Sequence, residues 1–179
     1  QGTRDRTFRV RHKNGTDRYI RFMGVSLSDE QLMVTLLDIT ERKLAMEQLR
    51  KLSLAVEQSP ESVVITNLKG EIEYVNQAFI RATGYERDEV IGKNPRILKS
   101  GKTPVAAFND LWSTVAKGGS WKGELYNRRK DGSDYVEFAT IVPLRQEDGT
   151  VTHYVGVQED ITEKKRLGLE LDSYRGHLE

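Results

Sequence analysis

Alternating apolar and polar positions near the start of the chain predict three short strands. Apolar residues occupy every second position in residues 7–11, as a half-buried strand requires. Residues 19–23 and 32–37 are rich in apolar residues, and residues 13–16 hold the glycine of a hairpin turn. Three strands alone leave one apolar face in water, so we expect another element to cover this piece.

The apolar spacing becomes helical after Asp38. Asp38 as the N-cap and Glu41 three residues later predict a helix that starts with a capping box. The next apolar residues recur at spacings of four, three and four, the seam of a short coiled coil: Ala45, Leu49, Leu52 and Val56. We expect this helix to end near residues 59–60, because the residue before a proline resists the helical conformation.

Residues 58–163 carry the pattern of one complete domain. The predicted elements are two strands at 63–66 and 71–76, a helix at 77–83, one helical turn at 88–91, a polar segment at 94–103, a second helix at 104–117 and three strands at 121–129, 134–144 and 151–159. Gly84, Gly92 and Gly118 follow the helical stretches as stop signals. One full domain therefore follows the first long helix.

Two short phrases recur and mark a repeated unit. Asp-Ile-Thr-Glu occurs at residues 38–41 and again at 160–163, an offset of 122 residues. Arg-His-Lys-Asn-Gly at 11–15 matches Arg-Arg-Lys-Asp-Gly at 128–132, an offset of 117 residues. A second helical seam follows the second copy at the same phase: Leu167, Leu171, Tyr174 and Leu178. The chain is therefore predicted to hold the end of one unit and the whole of the next.

Composition narrows the classes of function. A net charge of +1 gives no field that attracts nucleic acid or an anionic membrane, and the basic runs at 9–13 and 128–130 are interpreted as solvated hairpin tips. The absence of cysteine excludes disulfides, thiolate metal sites and cysteine nucleophiles. No apolar run approaches ~18 residues and no signal-peptide pattern opens the chain. We expect a cytoplasmic protein, or the cytoplasmic part of a membrane-anchored receptor, with no direct membrane insertion.

Several motifs resemble those of the PAS domain family. Residues 68–79, 83–85 and 90–96 resemble its opening hairpin, first helix and central segment, and residues 127–132 and 160–165 resemble its C-terminal motif. The resemblance implies an α+β fold with a five-stranded antiparallel sheet of order 2-1-5-4-3. It also implies that the helices lie on one face of the sheet and enclose a pocket, and that coiled-coil-like linker helices flank the domain.

The resemblance further implies a domain organisation. Residues 1–40 are interpreted as the last three strands of a truncated preceding PAS domain, 41–57 as a linker helix, 58–163 as the complete PAS domain and 164–179 as the start of a C-terminal signalling helix. Such modules serve as sensors in bacterial signal transducers, including histidine kinases and diguanylate cyclases. We therefore expect a regulatory domain with no enzymatic activity within this window.

The sequence leaves three alternatives for the pocket: a bound flavin, another small ligand, or no ligand. The stretch from 94 to 132 resembles redox-sensing members that bind FAD or FMN without a covalent bond. An isoalloxazine ring needs an apolar or aromatic slot and an amide at its polar edge. The candidate residues are Trp112 and Trp121 for the slot, Asn94 and Asn127 for the amides, and Tyr135 on the neighbouring strand. Each tryptophan also fits a plain packing role, and Asn94 also fits a helix cap.

Other chemistries have less support in the sequence. The flavin adduct of light-sensing members needs a cysteine after residues 92–94, and the chain has none. Haem-binding members place a histidine on a central helix; residues 104–117 contain none, which leaves His153 as a remote axial candidate. Residues 101–103 resemble the end of a phosphate-binding loop, but Arg96 stands where that loop needs its first glycine.

The expected mechanism is a population shift. A ligand, a redox change or a partner contact would alter the sheet around Asn127 and Tyr135, and the last strand would pass the change to the helix after Asp160 and to an output domain of the same chain. We expect a homodimer through the helices at 41–57 and 163–178. The alternative is a ligand-free PAS module that serves only in dimerisation or as a spacer.

Overall fold

A computed structural model describes residues 4–26, 28 and 31–176. The chain divides into two compact units, Gln1–Leu54 and Ala55–Glu179. The end of the second predicted seam, at Leu178, and His177 lie outside the described residues.

The first unit is an antiparallel three-stranded sheet in sequence order. Its strands are β1 (Arg4–Arg11), β2 (Asp17–Ser26) and β3 (Leu32–Asp38), at the three predicted places. Phe8 and Phe22 meet edge to face with ring centres 5.5 Å apart. Apolar side chains of this sheet remain exposed, Leu36 and Leu37 among them. Helix α1 (Thr40–Glu57) follows, and none of its described residues is buried.

The second unit contains the rest of the elements. They are β4 (Ser62–Asn67), β5 (Ile72–Val75), α2 (Gln77–Thr83), α3 (Arg87–Val90), a 3₁₀ turn (Pro95–Leu98), α4 (Val105–Ala116), β6 (Trp121–Arg128), β7 (Asp134–Arg145), β8 (Val151–Asp160) and α5 (Thr162–Gly176). The α+β class is as predicted. α2 has the predicted bounds, and the bounds of the other predicted strands and α-helices from β4 to β8 differ from the predicted ones by about one residue at most, as is usual at the ends of helices and strands.

The sheet of the second unit has the order β5-β4-β8-β7-β6, with every neighbouring pair antiparallel. Counted from β4, this is the order 2-1-5-4-3. Two apolar clusters fill the space between the sheet and the helical segments. One joins Val64 and Val75 to Phe79 and Leu98, and the other packs Leu111 and Val115 of α4 against β6 and β7. Helices on one face thus leave room for a cavity over the sheet.

A fully buried asparagine fixes the start of α2. Asn76 Oδ1 accepts hydrogen bonds from Phe79 N (3.1 Å) and Val63 N (2.9 Å). Its Nδ2 donates to the carbonyls of Val56 and Glu61. The side chain therefore caps the helix and ties it to β4 and to the chain that enters the domain. Gly84, with φ of 76°, ends α2 in the left-handed conformation that glycine adopts at little cost.

The repeated phrase Asp-Ile-Thr-Glu forms a strand-to-helix junction twice. In the second copy, Ile161 N donates to Val136 O (2.9 Å), Val136 N donates to Thr162 Oγ1 (2.9 Å), and Thr162 N donates to Asp160 Oδ1 (3.0 Å). In the first copy, Asp38 Oδ1 accepts from the backbone of Thr40, two residues on. The expected capping box with Glu41 is corrected accordingly, because the short aspartate reaches the nearer amide first.

Candidate functional site

A cavity of about 250 Å³ lies between the inner face of the five-stranded sheet and the helical segments. Its apolar walls come from both sides, with Phe79, Phe108 and Leu111 on the helices and Leu125 and Ile141 on the strands. The volume is just below the range of about 300–1,000 Å³ that is typical of small-molecule pockets.

Three amide side chains interrupt the apolar lining. Asn127 Nδ2 donates to Glu137 Oε1 at 3.0 Å. Gln158 Oε1 is buried and has no hydrogen-bond partner among the described residues. Asn94 Oδ1 accepts from Arg96 N at 3.0 Å and caps the 3₁₀ turn. Because a buried carbonyl oxygen without a partner costs free energy, Gln158 is the residue most in need of a donor from a ligand or a water molecule.

A carboxyl group also lines the cavity. Glu137 on β7 is 7% exposed, and burial raises its pKa to about 7. It accepts a hydrogen bond from Asn127 Nδ2. At neutral pH this group is therefore divided between its neutral and its ionised form, which is unusual for a glutamate.

The mouth of the cavity is basic. Arg96 and Lys99 line it, and both are exposed. Lys99 Nζ lies 4.1 Å from the centre of the Phe108 ring, where the ring face attracts the ammonium group. The cavity therefore has hydrogen-bonding groups along the sheet and positive charge at its opening.

The structure brings three of the five predicted site residues together. Asn94, Trp112 and Asn127 line the cavity, with Trp112 half-exposed at its edge. Trp121 lies outside the lining: it is buried in the cluster under α4, and its Nε1 donates to Asp110 Oδ2 at 2.8 Å. Tyr135 is also outside, with its ring under the Arg129 guanidinium at 4.3 Å.

Sequence reasoning missed Glu137 and Gln158. A signal for Glu137 was present, because it alternates with Tyr135 and Ala139, and all three are buried on β7. Gln158 occupies the same kind of position on β8, two residues from Gly156, which also lines the cavity. Both residue types are usually exposed, so alternation alone does not identify these two side chains as part of the cavity wall.

The remote haem candidate does not reach the cavity. His153 Nε2 lies 3.0 Å from Glu73 Oε2, and His153 does not contribute to the lining. Within residues 4–26, 28 and 31–176, no group of three or more histidine, aspartate or glutamate side chains could hold a metal ion. None of the described helices is long and apolar enough to cross a membrane.

A charged link leads from the sheet to α5. Arg129 Nη2 donates to Asp160 Oδ2 at 2.6 Å, and Arg129 Nη1 donates to the carbonyl of Ala82 at the end of α2. Burial opposes ionisation of Asp160, but the hydrogen bonds from Thr162 and Arg129 outweigh it and lower the pKa. The first turn of α5 is therefore tied to the sheet by an ionised aspartate.

Curated relatives of this chain are signal-transduction proteins. The nitrogen fixation regulatory protein of Klebsiella oxytoca is 34% identical over 123 residues, which are 69% of this chain and 24% of that protein. Blue-light-activated histidine kinase 1 of Erythrobacter litoralis is 37% identical over 117 residues, 60% of this chain and 32% of that protein. The chain thus spans about a quarter of the first relative and a third of the second.

Solved structures are similar to the same region. A PAS domain from Colwellia psychrerythraea has a TM-score of 0.60 and 25% identity, and the match covers 65% of this chain and 98% of that one. A light-oxygen-voltage domain studied with a flavin analogue has a TM-score of 0.59 and 29% identity, with 70% and 96% covered. The model of the family described as the PAS domain matches residues 60–163. The chain therefore belongs to the PAS domain family.

Proposed function

We propose that this chain is the sensory part of a bacterial signal transducer and that its cavity binds a flavin, FMN or FAD, without a covalent bond. The observation that carries the proposal is the combination of apolar walls with an unpartnered buried Gln158 Oε1. A flavin offers an N–H group beside carbonyl oxygens along one ring edge, so it can both donate to Gln158 and accept from an amide.

The residues present fit this group in three ways. Trp112, Phe108 and Leu111 supply flat apolar contact on the helical side. Asn127, Glu137 and Gln158 supply polar groups along the sheet, and Arg96 and Lys99 supply positive charge at the mouth for a phosphate. A bound flavin would supply redox and light-absorbing chemistry. The chain's own residues would bind and orient it.

The relatives support a flavin over other ligands. One of them is a blue-light-activated histidine kinase, and one similar solved structure is a light-oxygen-voltage domain studied with a flavin analogue. This chain has no cysteine, so a covalent adduct on that residue is not available to it. A redox-responsive, non-covalent flavin is the state that agrees with both facts.

The binding test compares two glutamine variants. Purified protein is expected to be yellow, or to bind added FMN or FAD with a rise in melting temperature. Gln158→Leu removes the cavity acceptor and should weaken binding about tenfold, the effect of one buried hydrogen bond. Gln146→Leu makes the same change on the exposed β7–β8 turn and should leave the affinity unchanged. A colourless protein that binds neither flavin would favour the spacer alternative.

We also propose the route and the partners of the signal. Changes at the cavity would reach α5 through β8 and would pass to an output domain, a histidine kinase or a diguanylate cyclase. The sheet β1–β3 is proposed to be the end of a preceding PAS domain, because its strands and its Asp-Ile-Thr-Glu junction repeat those of β6–β8. A cytoplasmic location stays a prediction.

A homodimer through α1 and α5 is the proposed assembly. Leu49 and Leu171 lie on the two apolar seams and are exposed, as unpaired coiled-coil positions are. The double variant Leu49→Glu, Leu171→Glu should give monomers in light scattering at concentrations where the parent is a dimer. The matched control changes Leu44 and Leu169 to glutamate, since both are exposed but off the seams. Equal masses for all three proteins would contradict this assembly.

A further inference from the structure

Two carboxylates face each other across β7 and β8. Glu137 and Asp160 are directly opposed in the antiparallel register. Directly opposed residues point to the same side of a sheet, with Cβ atoms roughly 4.5–5.5 Å apart, and like charges at such positions destabilise the pair. Glu137 lines the cavity and Asp160 is the last residue of β8, two positions before the first residue of α5, so this pair connects the cavity wall with the start of the helix.

The environments of the two carboxylates differ. Asp160 exposes 32% of its side chain and accepts hydrogen bonds from Thr162 and Arg129, which together stabilise its ionised form. Glu137 is buried and accepts a hydrogen bond from the uncharged amide of Asn127. Negative charge is therefore favoured on Asp160, and a proton is favoured on Glu137.

The other charged or titratable groups around Glu137 come from its own strand, from the end of β6 and from the helical side of the cavity. Burial, together with the charge of Glu137, raises the pKa of Tyr135 on the same strand, so this phenol stays neutral. Arg129, beyond the end of β6, is paired with Asp160. On the helical side of the cavity the charged residues are Arg96 and Lys99. Of the groups that face the cavity wall, Glu137 is thus the one whose charge changes near neutrality.

We propose that Glu137 is a proton switch for α5. As the pH falls through neutrality, Glu137 takes up one proton from bulk water, and the repulsion between Glu137 and Asp160 disappears. Arg129 is then attracted by Asp160 alone, and Asp160 holds the first turn of α5 more firmly through Thr162. The domain therefore responds to pH in addition to any ligand.

The switch gives the cavity a second means of acting on α5. A ligand that displaces water from around Glu137 favours its neutral form, so cavity occupancy and acidification change α5 in the same direction. This consequence rests on the proposed function. The switch itself depends only on the two carboxylates and is tested in the ligand-free protein, so a failure to bind flavin leaves it standing.

The test follows two NMR signals in the same samples. The side-chain carboxyl carbon of Glu137 and the amide of Thr162 are recorded from about pH 3 to about pH 9, a range that includes the ordinary pKa of glutamate and the neutral region in which a histidine also titrates. Both signals should change with one common midpoint close to neutrality. The Thr162 change should vanish in Glu137→Gln and persist in His153→Gln, which removes the histidine on β8. The amide of Thr40 is an internal control. Asp38 is opposed there by the apolar Ile20, so no carboxyl group on the facing strand should change this signal near neutral pH.

Two results would overturn the switch. One is a Glu137 midpoint near about 4.3, the ordinary value for glutamate. The other is a Thr162 amide that does not follow Glu137 in the wild-type protein. Because Glu137→Gln could fail to fold, Asp160→Asn gives a second measurement: without the opposing charge, the midpoint of Glu137 should move to lower pH. An unmoved midpoint in that variant would show that the two carboxylates are not coupled.

Discussion

The two Asp-Ile-Thr-Glu junctions share one pattern of hydrogen bonds to the facing strand, but a different residue of that strand is opposed to the aspartate in each. In the first, Ile39 N donates to Tyr19 O at 2.9 Å and Tyr19 N donates to Thr40 Oγ1 at 2.8 Å. In the second, Val136 takes the place of Tyr19, and the corresponding distances are both 2.9 Å. The phrase therefore forms a strand-to-helix connection in both copies through hydrogen bonds within itself and to one residue of the facing strand.

The two copies differ in the residue that is opposed to the aspartate on the facing strand. Ile20 is opposed to Asp38, whereas Glu137 is opposed to Asp160. The hydrogen bonds from Thr40 lower the pKa of Asp38 to about 2, so this exposed aspartate stays ionised without any competing acid. The comparison teaches that the junction itself is standard and that its response is set from the facing strand.

The largest expected effect is a pH dependence of the second unit alone. The pKa of Glu137 is raised to about 7 in the folded protein, against about 4.3 when unfolded. The folded state thus binds the proton more tightly, and the free energy of unfolding falls as the pH rises from about 4.3 to about 7, by about 2–4 kcal/mol. Above that range this contribution is constant.

Urea denaturation followed by tryptophan fluorescence measures this, because both tryptophans, Trp112 and Trp121, belong to the second unit. In Glu137→Gln the loss of stability between about pH 5 and about pH 7.5 should disappear. A wild-type protein that is equally stable at both pH values would contradict the assigned burial of this carboxyl group.

Replacing the aspartate of each junction by alanine tests whether the two junctions stabilise their units independently. Asp160→Ala deletes the acceptor of Thr162 N and leaves Arg129 without its carboxylate, so the second unit should lose about 1–2 kcal/mol. Asp38→Ala deletes the matching acceptor in the first unit. It should leave the tryptophan-detected transition where it is. Equal shifts of that transition in both variants would mean that the two junctions are not independent.

The sequence predicted the strands and helices better than it predicted the residues that line the cavity. Alternation and helical spacing predicted every described strand and α-helix, and α2 has the predicted bounds, whereas the 3₁₀ turn Pro95–Leu98 was predicted only as a polar segment. Asn94, Trp112 and Asn127 line the cavity as expected. The prediction that Trp121 lines the cavity is wrong. Periodicity does not reveal that its indole N–H donates to Asp110 on α4.

Glu137 and Gln158 were missed for a related physical reason. Polar residues are exposed far more often than buried, and their burial here depends on partners from other strands. The register that sets Glu137 against Asp160 links residues 23 positions apart, and no local pattern specifies it. Functional sites are where such conflicts between local preference and position are expected.

The shared hydrogen bond at each threonine should respond equally in the two copies. Thr162→Val removes the acceptor of Val136 N, and Thr40→Val removes the acceptor of Tyr19 N. Each change costs about 1 kcal/mol locally and should speed amide hydrogen exchange at the affected strand residue several-fold. A large effect in one copy with none in the other would show that the two junctions are built differently.

The smallest expected effect comes from giving the first junction the glutamate that faces the aspartate in the second junction. Ile20→Glu sets a carboxylate opposite Asp38, but position 20 is only partly buried and borders no enclosed cavity. Solvent should stabilise the ionised form there, so the new side chain should titrate within about one pH unit of 4.3 and shift the Thr40 amide only slightly. A midpoint near neutrality would mean that an opposing aspartate is sufficient by itself. The expected midpoint would instead identify burial in the cavity wall as the cause of the neutral titration of Glu137, since the strand pairing is the same in both places.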